Sequence, residues 1–296
     1  MAETKLVADP AAAAYWAQKR AAILAATPAE RGALLSDQAR LARRSIVQMI
    51  DTAGQGHIGG DLSVIDVMTT IFFGVLNIDP LNPAKADRDR FILSKGHCAA
   101  ALYTTLAFTG HFDAAELPTF MAPYSPLNGH PNRNKVPGVE TNTGPLGHGL
   151  PVAVGTAIGA RLNKNGARTF VIMGDGEMQE GSNWEALMSA SHHGLANLTA
   201  IVDRNRLQQG ARTEDTNGLD PLDEKLAAFG CEVREIDGHN FEQLWEALKP
   251  STTGKPVAII ANSVKGKGVS FIEDRVEWHH KVPNKQQVAQ ALEELA

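Results

Sequence analysis

Apolar residues recur along this chain in two rhythms, and their alternation predicts the fold. Short runs rich in β-branched residues stand at Phe91-Ile92-Leu93, Thr169-Phe170-Val171-Ile172-Met173, 198–202, 231–236 and 256–261. Runs of this length suit parallel strands buried on both faces. Between them the spacing turns helical, at 99–108, 150–162, 183–193, 220–229, 241–248 and 285–295. Strand and helix in turn predict an α/β fold, a doubly wound and largely parallel sheet with helices on both faces. Before the first strand, 34–50 predicts a helix, with apolar Leu34, Leu35, Leu41, Ile46, Val47 and Ile50 and basic Arg40, Arg43 and Arg44. The Ala-rich stretch 11–26 predicts another, packed loosely on the body. Residues 1–33 are thus expected to be an N-terminal helical extension, and 34–296 the main domain.

Glycine and proline interrupt both rhythms in particular places. Gly54, Gly56, Gly59 and Gly60 surround His57 and predict a tight loop. Ser63, with Asp66 three residues on, is the expected N-cap of a helix running to Phe73. Residues 109–147 are rich in Pro, Asn and Gly and predict a long ordered loop, the kind that is usually functional or mobile. Pro151 suits the first turn of the 150–162 helix, and Gly155 and Gly159, four apart, suggest close packing on another backbone.

One stretch carries the most chemistry. Gly174-Asp175-Gly176 follows a predicted strand, and Asn205 follows the next, 30 positions later. Both therefore stand past strand C-termini, where open α/β sheets bind ligands. A carboxylate, an amide oxygen and a loop carbonyl make a hard all-oxygen set suited to Mg²⁺ or Ca²⁺, particularly beside a phosphate. Glycines flanking Asp175 let a bulky ligand come close. Gly-Asp-Gly alone is common; the added strand–helix–strand spacing to Asn makes it specific.

The ten histidines change the picture because of where some of them lie. His57, His97 and His130 sit in glycine-containing turns, and His279 and His280 follow the glycine- and lysine-rich stretch 263–270. Loops at strand ends are where function concentrates. His192 and His193 fall inside a predicted helix and are expected to be structural; His111 and His239 are expected to be surface or packing residues. His148 could assist an anion or be a spacer. Glu180 could cap a helix or belong to the site. Lys265 and Lys267 could hold a phosphate or lie on a solvated loop.

Composition mainly excludes. With 28 Lys+Arg against 33 Asp+Glu, the net charge of −5 gives no reason to expect nucleic acid or an acidic membrane as partner. Cys98 and Cys231 show no metal-ligand spacing, and the N-terminus lacks a signal-peptide pattern; a soluble cytoplasmic protein is expected. No uninterrupted apolar run is long enough to suggest a membrane span.

Taken together the motifs resemble the thiamine-diphosphate-binding N-terminal domain of transketolase, from about residue 34 to 283. The matching pieces are Gly56-His57, Leu93-Ser94-Lys95-Gly96-His97, Gly129-His130-Pro131, Thr143-Gly144-Pro145-Leu146-Gly147, Gly174-Asp175-Gly176 with Glu180-Gly181, and Asn205. The chain looks most like the first subunit of a split transketolase. The resemblance implies thiamine diphosphate and Mg²⁺ as cofactors, with Ca²⁺ or Mn²⁺ as substitutes. It implies metal binding by Asp175, Asn205 and the Leu207 carbonyl, and Gly176, His97 and His279 along the diphosphate. It places Gly144 and Leu146 beside the cofactor's rings. His57, His130 and His279 would hydrogen-bond sugar hydroxyls and shuttle protons, work that suits imidazole. Glu180 resembles the family's interface glutamate, coupling two active sites.

The sequence departs from the family in two places. Two adjacent histidines stand where the family has one, so His279 rather than His280 is chosen by spacing from Trp278, and His148 replaces a usual Gln. The family's pyrimidine-binding domain, with the glutamate that activates the cofactor, is expected on a separate C-terminal chain. By the same resemblance the assembly is a heterotetramer acting on sugars or sugar phosphates. The α chain of a 2-oxo acid dehydrogenase shares the metal motif but lacks Ser-Lys-Gly-His and Thr-Gly-Pro-Leu-Gly. A deoxyxylulose-phosphate synthase shares the domain order but is normally one long chain. A non-catalytic scaffold would gain nothing from a buried carboxylate without a cation.

Overall fold

The computed structural model describes residues 6–296. Two helices lead in. The first, α1 (Pro10–Ala25), starts where the Asp9 carboxylate accepts the N–H groups of Ala11 and Ala12. It packs more firmly than expected: Trp16 and Ile23 are buried, and the Trp16 indole donates to the Phe72 carbonyl at 3.2 Å. Next, α2 (Pro28–Ala53) begins six residues before the predicted start, with Glu30 accepting the Thr27 N–H at 3.0 Å. The expected 33/34 division thus falls inside one continuous helix.

The next helix departs most from expectation. The predicted loop around His57 closes at once into α3 (Ile58–Thr70), so Gly59 and Gly60 are helical and Ser63 is an interior residue, not an N-cap. The reason is packing. A Cβ on Gly59 would stand 2.7 Å from the Trp278 carbonyl, and one on Gly60 2.7 Å from Cys98 Sγ. All residues of α3 are buried, and a π-type turn, Ile71–Val75, extends it. The combined stretch Ile58–Val75 is apolar and long enough to cross a membrane, but 94% of it is buried inside the fold, which marks it as a core helix.

The remaining elements follow the predicted alternation: β1 (Arg90–Leu93), α4 (Ala99–Phe108), α5 (Gly149–Asn163), β2 (Thr169–Gly174), α6 (Gly181–His192) and β3 (Leu198–Arg204). After β3 come a single turn α7 (Thr213–Thr216), α8 (Leu222–Ala228), β4 (Glu232–Asp237), α9 (Phe241–Ala247), β5 (Val257–Asn262) and α10 (Lys285–Glu294). The strands form one sheet in the order β1-β2-β3-β5-β4, every pair parallel.

Period-two alternation divides the strands' apolar residues between two cores. Phe91, Leu93, Phe170, Ile172, Ile201, Val257 and Ile259 face α2, α3, α4 and α9. Ile92, Val171, Met173, Ala200, Val202, Ala258 and Ile260 face α5, α6 and α8. Helices therefore cover both faces, as a parallel sheet requires. One packing expectation fails: among the described residues nothing lies within 4 Å of a Cβ built on Gly155 or Gly159, so that face of α5 meets no other backbone there.

Candidate active site

The C-terminal ends of β2, β3 and β5 converge on one edge of the sheet, and the site has two corners there. The first is made of oxygen. Asp175 is the residue after β2, and its carboxylate is 2% exposed. Its Oδ2 accepts the Arg206 N–H at 2.7 Å, the Thr213 hydroxyl at 3.1 Å and the Arg204 guanidinium at 3.2 Å. Among the described residues its Oδ1 accepts only the Gly176 N–H, at 2.8 Å. Burial first, and the neighbouring Asp203 second, raise its pKa above the usual carboxylate value, so a cation here relieves a strained charge.

Asn205 follows β3. Its amide nitrogen donates to Asp203 Oδ2 at 3.1 Å, which leaves Oδ1 as the free-facing oxygen, with the Leu207 N–H at 3.1 Å. The Leu207 carbonyl already carries a cation, the Lys265 ammonium at 3.2 Å. Asp175 Oδ1, Asn205 Oδ1 and Leu207 O form a hard, neutral-to-anionic donor set that fits Mg²⁺ when diphosphate oxygens complete the shell. Gly176 is needed close by: a Cβ there would lie 2.9 Å from Gln208 Oε1.

The second corner is made of imidazole. His57 caps α3 and His97 ends the turn after β1; their ring centroids are 5.1 Å apart. His279 lies 5.5 Å from each, and His280 stands 4.5 Å from His57. Trp278, buried beside them, places its carbonyl against Gly59. His130 is set slightly apart, Nδ1 to the Thr143 hydroxyl at 3.3 Å, and Thr143 in turn packs on Gly96. Burial, then neighbouring imidazoles and lysines, lower His57 to about 4. Burial and Lys265 lower His279 to about 3, and burial and Lys95 take His97 well below its usual value. All three rings are neutral near pH 7, each able to offer one N–H and one lone pair.

Between the corners runs the 143–149 segment. Gly147 N–H donates to Glu177 at 2.9 Å and Gly149 N–H to Ser94 at 3.0 Å, so Gly144 and Leu146 are held beside the Ser94–His97 turn. Glu180 lies elsewhere. It is exposed at the start of α6, caps nothing with its side chain, and sits against Gly147 outside the imidazole group. Of the two undecided lysines, Lys265 is 2% exposed while Lys267 pairs with Glu273 near the surface. Lys265 Nζ meets His279 Nδ1 at 2.7 Å, and burial, then Lys95, lower its pKa to about 8.

Several structural supports of the site went unassigned in the sequence. Asp203, fully buried, takes Lys95, Ser63, Ser263 and Asn205 together. Burial works against its charge, but Lys95 holds its pKa below the usual value. Glu177 collects Ser94 and the Gly147 and Gly174 N–H groups. Arg204, 1% exposed on its side chain, ties Asp175 to Glu214 and Asp220. A signal existed: charged residues closing or directly following otherwise apolar strands, where no surface explanation holds.

Comparison with known proteins supplies the family. The chain is 47% identical over 263 residues to an apulose-4-phosphate transketolase subunit from Actinobacillus succinogenes, covering 88% of this chain and 95% of that protein. It is 38% identical over 263 residues to the 6-deoxy-6-sulfo-D-fructose transketolase subunit of a Clostridium species, covering 88% and 96%. The crystal structure of transketolase from Campylobacter jejuni superposes with a TM-score of 0.83 at 31% identity, over 88% of this chain and 42% of that one. The chain thus spans nearly all of the subunit relatives and about two fifths of the full-length enzyme. Residues 36–296 match the transketolase thiamine diphosphate binding domain, and the chain belongs to that family.

Proposed function

We propose that the chain is the cofactor-diphosphate subunit of a two-chain transketolase, which moves a two-carbon ketol unit from a ketose or its phosphate to an aldose or its phosphate. The observation that carries this reading is the pairing of the two corners: a hard oxygen set at Asp175, Asn205 and Leu207 facing a group of neutral imidazoles on the same sheet edge. Thiamine diphosphate supplies the electron sink that carbon–carbon cleavage needs. The protein's part is to hold, orient and move protons.

In this reading Asp175 Oδ1, Asn205 Oδ1 and Leu207 O hold Mg²⁺, while Gly176, His97, Lys265 and His279 line the diphosphate. Asp203 fixes which way the Asn205 amide points, and Arg204 occupies the far oxygen of Asp175, leaving the near one for the metal. Gly144 and Leu146 flank the cofactor's rings. His57, His130 and His279 hydrogen-bond the sugar hydroxyls. Neutral rings suit that task, because each can give a proton at one nitrogen and take one at the other.

The partner in this reading is a C-terminal chain with the pyrimidine-binding domain and its glutamate, two of each chain forming a cytoplasmic heterotetramer. The names of the relatives and their near-complete coverage support it. Exposed Glu180 is then an interface residue. Relatives named for apulose 4-phosphate and 6-deoxy-6-sulfo-D-fructose favour a specialised sugar over a general pentose phosphate as substrate. The test is capture of the chain with its partner and assay of two-carbon transfer with thiamine diphosphate and Mg²⁺. A partner and activity, both present, with activity lost in Asp175→Ala, support the reading; activity indifferent to Asp175 sinks it.

A further inference from the structure

His239, expected to be a surface or packing residue, uses both ring nitrogens. It follows β4, and its side chain is 12% exposed. The Val264 backbone N–H donates to Nε2 at 2.8 Å, so Nε2 carries no proton. Nδ1 therefore holds the ring's proton and donates it to Asp66 Oδ2 at 2.7 Å. Arg43 grips the same carboxylate with two nitrogens, each at 2.7 Å, and also donates to the Leu62 carbonyl at 3.2 Å. Burial disfavours the Asp66 charge, but Arg43 and His239 hold its pKa below the usual value. A line of bonds thus runs from α2 through α3 and His239 to the loop after β5.

That loop carries Lys265, the residue next to Val264. Five ties hold it: the Ser263 hydroxyl on Asp203, the Ser263 N–H on the Arg204 carbonyl at 3.2 Å, Val264 on His239, the Asp274 N–H on the Lys265 carbonyl at 3.0 Å, and the Gly266 N–H on the Gly59 carbonyl at 2.8 Å. Of these, the His239 tie is the one that a side chain outside the two corners makes to the residue just before Lys265. A lysine has many rotamers, and placing its amine against both Leu207 O and His279 depends on where its backbone is held.

We propose that His239, in its neutral Nδ1–H form, is a positioning residue that sets the Lys265 amine in the diphosphate site. This rests on reading Lys265 as a diphosphate contact. The charged groups around the ring are Asp66, Arg43 through it, and Asp237, whose Oδ1 takes the His239 backbone N–H at 2.8 Å.

The experiment titrates thiamine diphosphate, with Mg²⁺, into the full chain and three variants, with melting temperatures read alongside. His239→Leu removes both bonds and is expected to weaken binding about tenfold. In His239→Gln a side-chain amide keeps one donor and one acceptor. Its affinity is expected within about twofold of the wild type, because one group can still accept from Val264 and the other donate to Asp66. Folded His239→Leu with wild-type affinity overturns the proposal, as does a loss in His239→Gln equal to that in His239→Leu. Should His239→Leu unfold, His239→Asn, whose shorter amide cannot span both partners, is read in its place against His239→Gln. Lys265→Met separates the two readings. If it binds as the wild type does, the diphosphate assignment fails; if it binds weakly while His239→Leu does not, only the positioning role fails.

Discussion

The oxygen corner and the imidazole corner are built on opposite principles. Around Asp175 nearly every polar atom is tied to protein: Arg204, Arg206, Thr213 and Gly176 hold the carboxylate, and Asp203 orients Asn205. Among the described residues, the rings of His57, His97 and His280 form no hydrogen bond to protein, and His279 has Lys265 alone. The first corner is preorganised, so that a cation meets ligands already in place. The second keeps its donors and acceptors open, at the cost of crowding several imidazoles and two lysines together. Burial first, and that crowding second, keep the rings neutral. One corner specifies geometry; the other keeps proton-transfer capacity in reserve.

The contrast can be broken most completely at its wired end. Asp175→Asn keeps the carboxylate's shape and removes its charge, and is expected to lower the Mg²⁺ dependence of cofactor binding by about 100-fold or more. Calorimetry with and without Mg²⁺ reads it. Next comes Glu177→Gln, which gives an acceptor-only hub one oxygen and an unwanted donor against three N–H and O–H groups. It should cost about 2 kcal/mol, a fall in melting temperature of roughly 5 °C.

The open corner is tested by acid. His57 and His279 have folded pKa values depressed from 6.5 to about 4 and about 3. Groups depressed in this way contribute stability that is present above pH 6.5 and is lost as pH falls toward 4 and below. The double change His57→Gln and His279→Gln should therefore flatten the loss of melting temperature between neutrality and about pH 4. The smallest effect belongs to Glu180→Gln, which should alter the melting temperature of the chain alone by less than about 1 °C, because the side chain is exposed and bonded to nothing. A larger change seen only with a partner present would place Glu180 at the contact between chains.

Much of the wired corner was legible because it follows from strand order: Asp175 and Asn205 lie just past the ends of neighbouring strands paired at Gly174 and Asp203. The strands stood out because buried parallel strands are continuous apolar runs. Gly59 and Gly60 misled because a glycine that avoids a clash inside a helix looks, in sequence, like one that makes a turn. Gly155 and Gly159 misled in the other direction, since spacing suggested a neighbour that the described residues do not supply. Asp203, Glu177 and His239 went unassigned because their roles depend on partners 25 to 173 positions away. Periodicity reports which face a residue occupies, and such contacts are set by how separate elements pack.

Trp278 gives the cleft an optical readout of its own. Its indole is buried between Phe271, at 5.3 Å, and the Lys281 ammonium, at 4.7 Å, one residue from the His279 ring. Whatever rearranges His279 or Lys281 also changes the polarity and charge around a fluorophore the chain already carries. Trp16 and Trp245 ride on α1 and α9, packed on Arg20 and Arg31, and form a background together with Trp184 on α6, whose indole packs on Phe229 and donates to the Met178 carbonyl. Occupancy of the cleft can therefore be followed by unlabelled emission in real time, on the same sample used for melting and calorimetry.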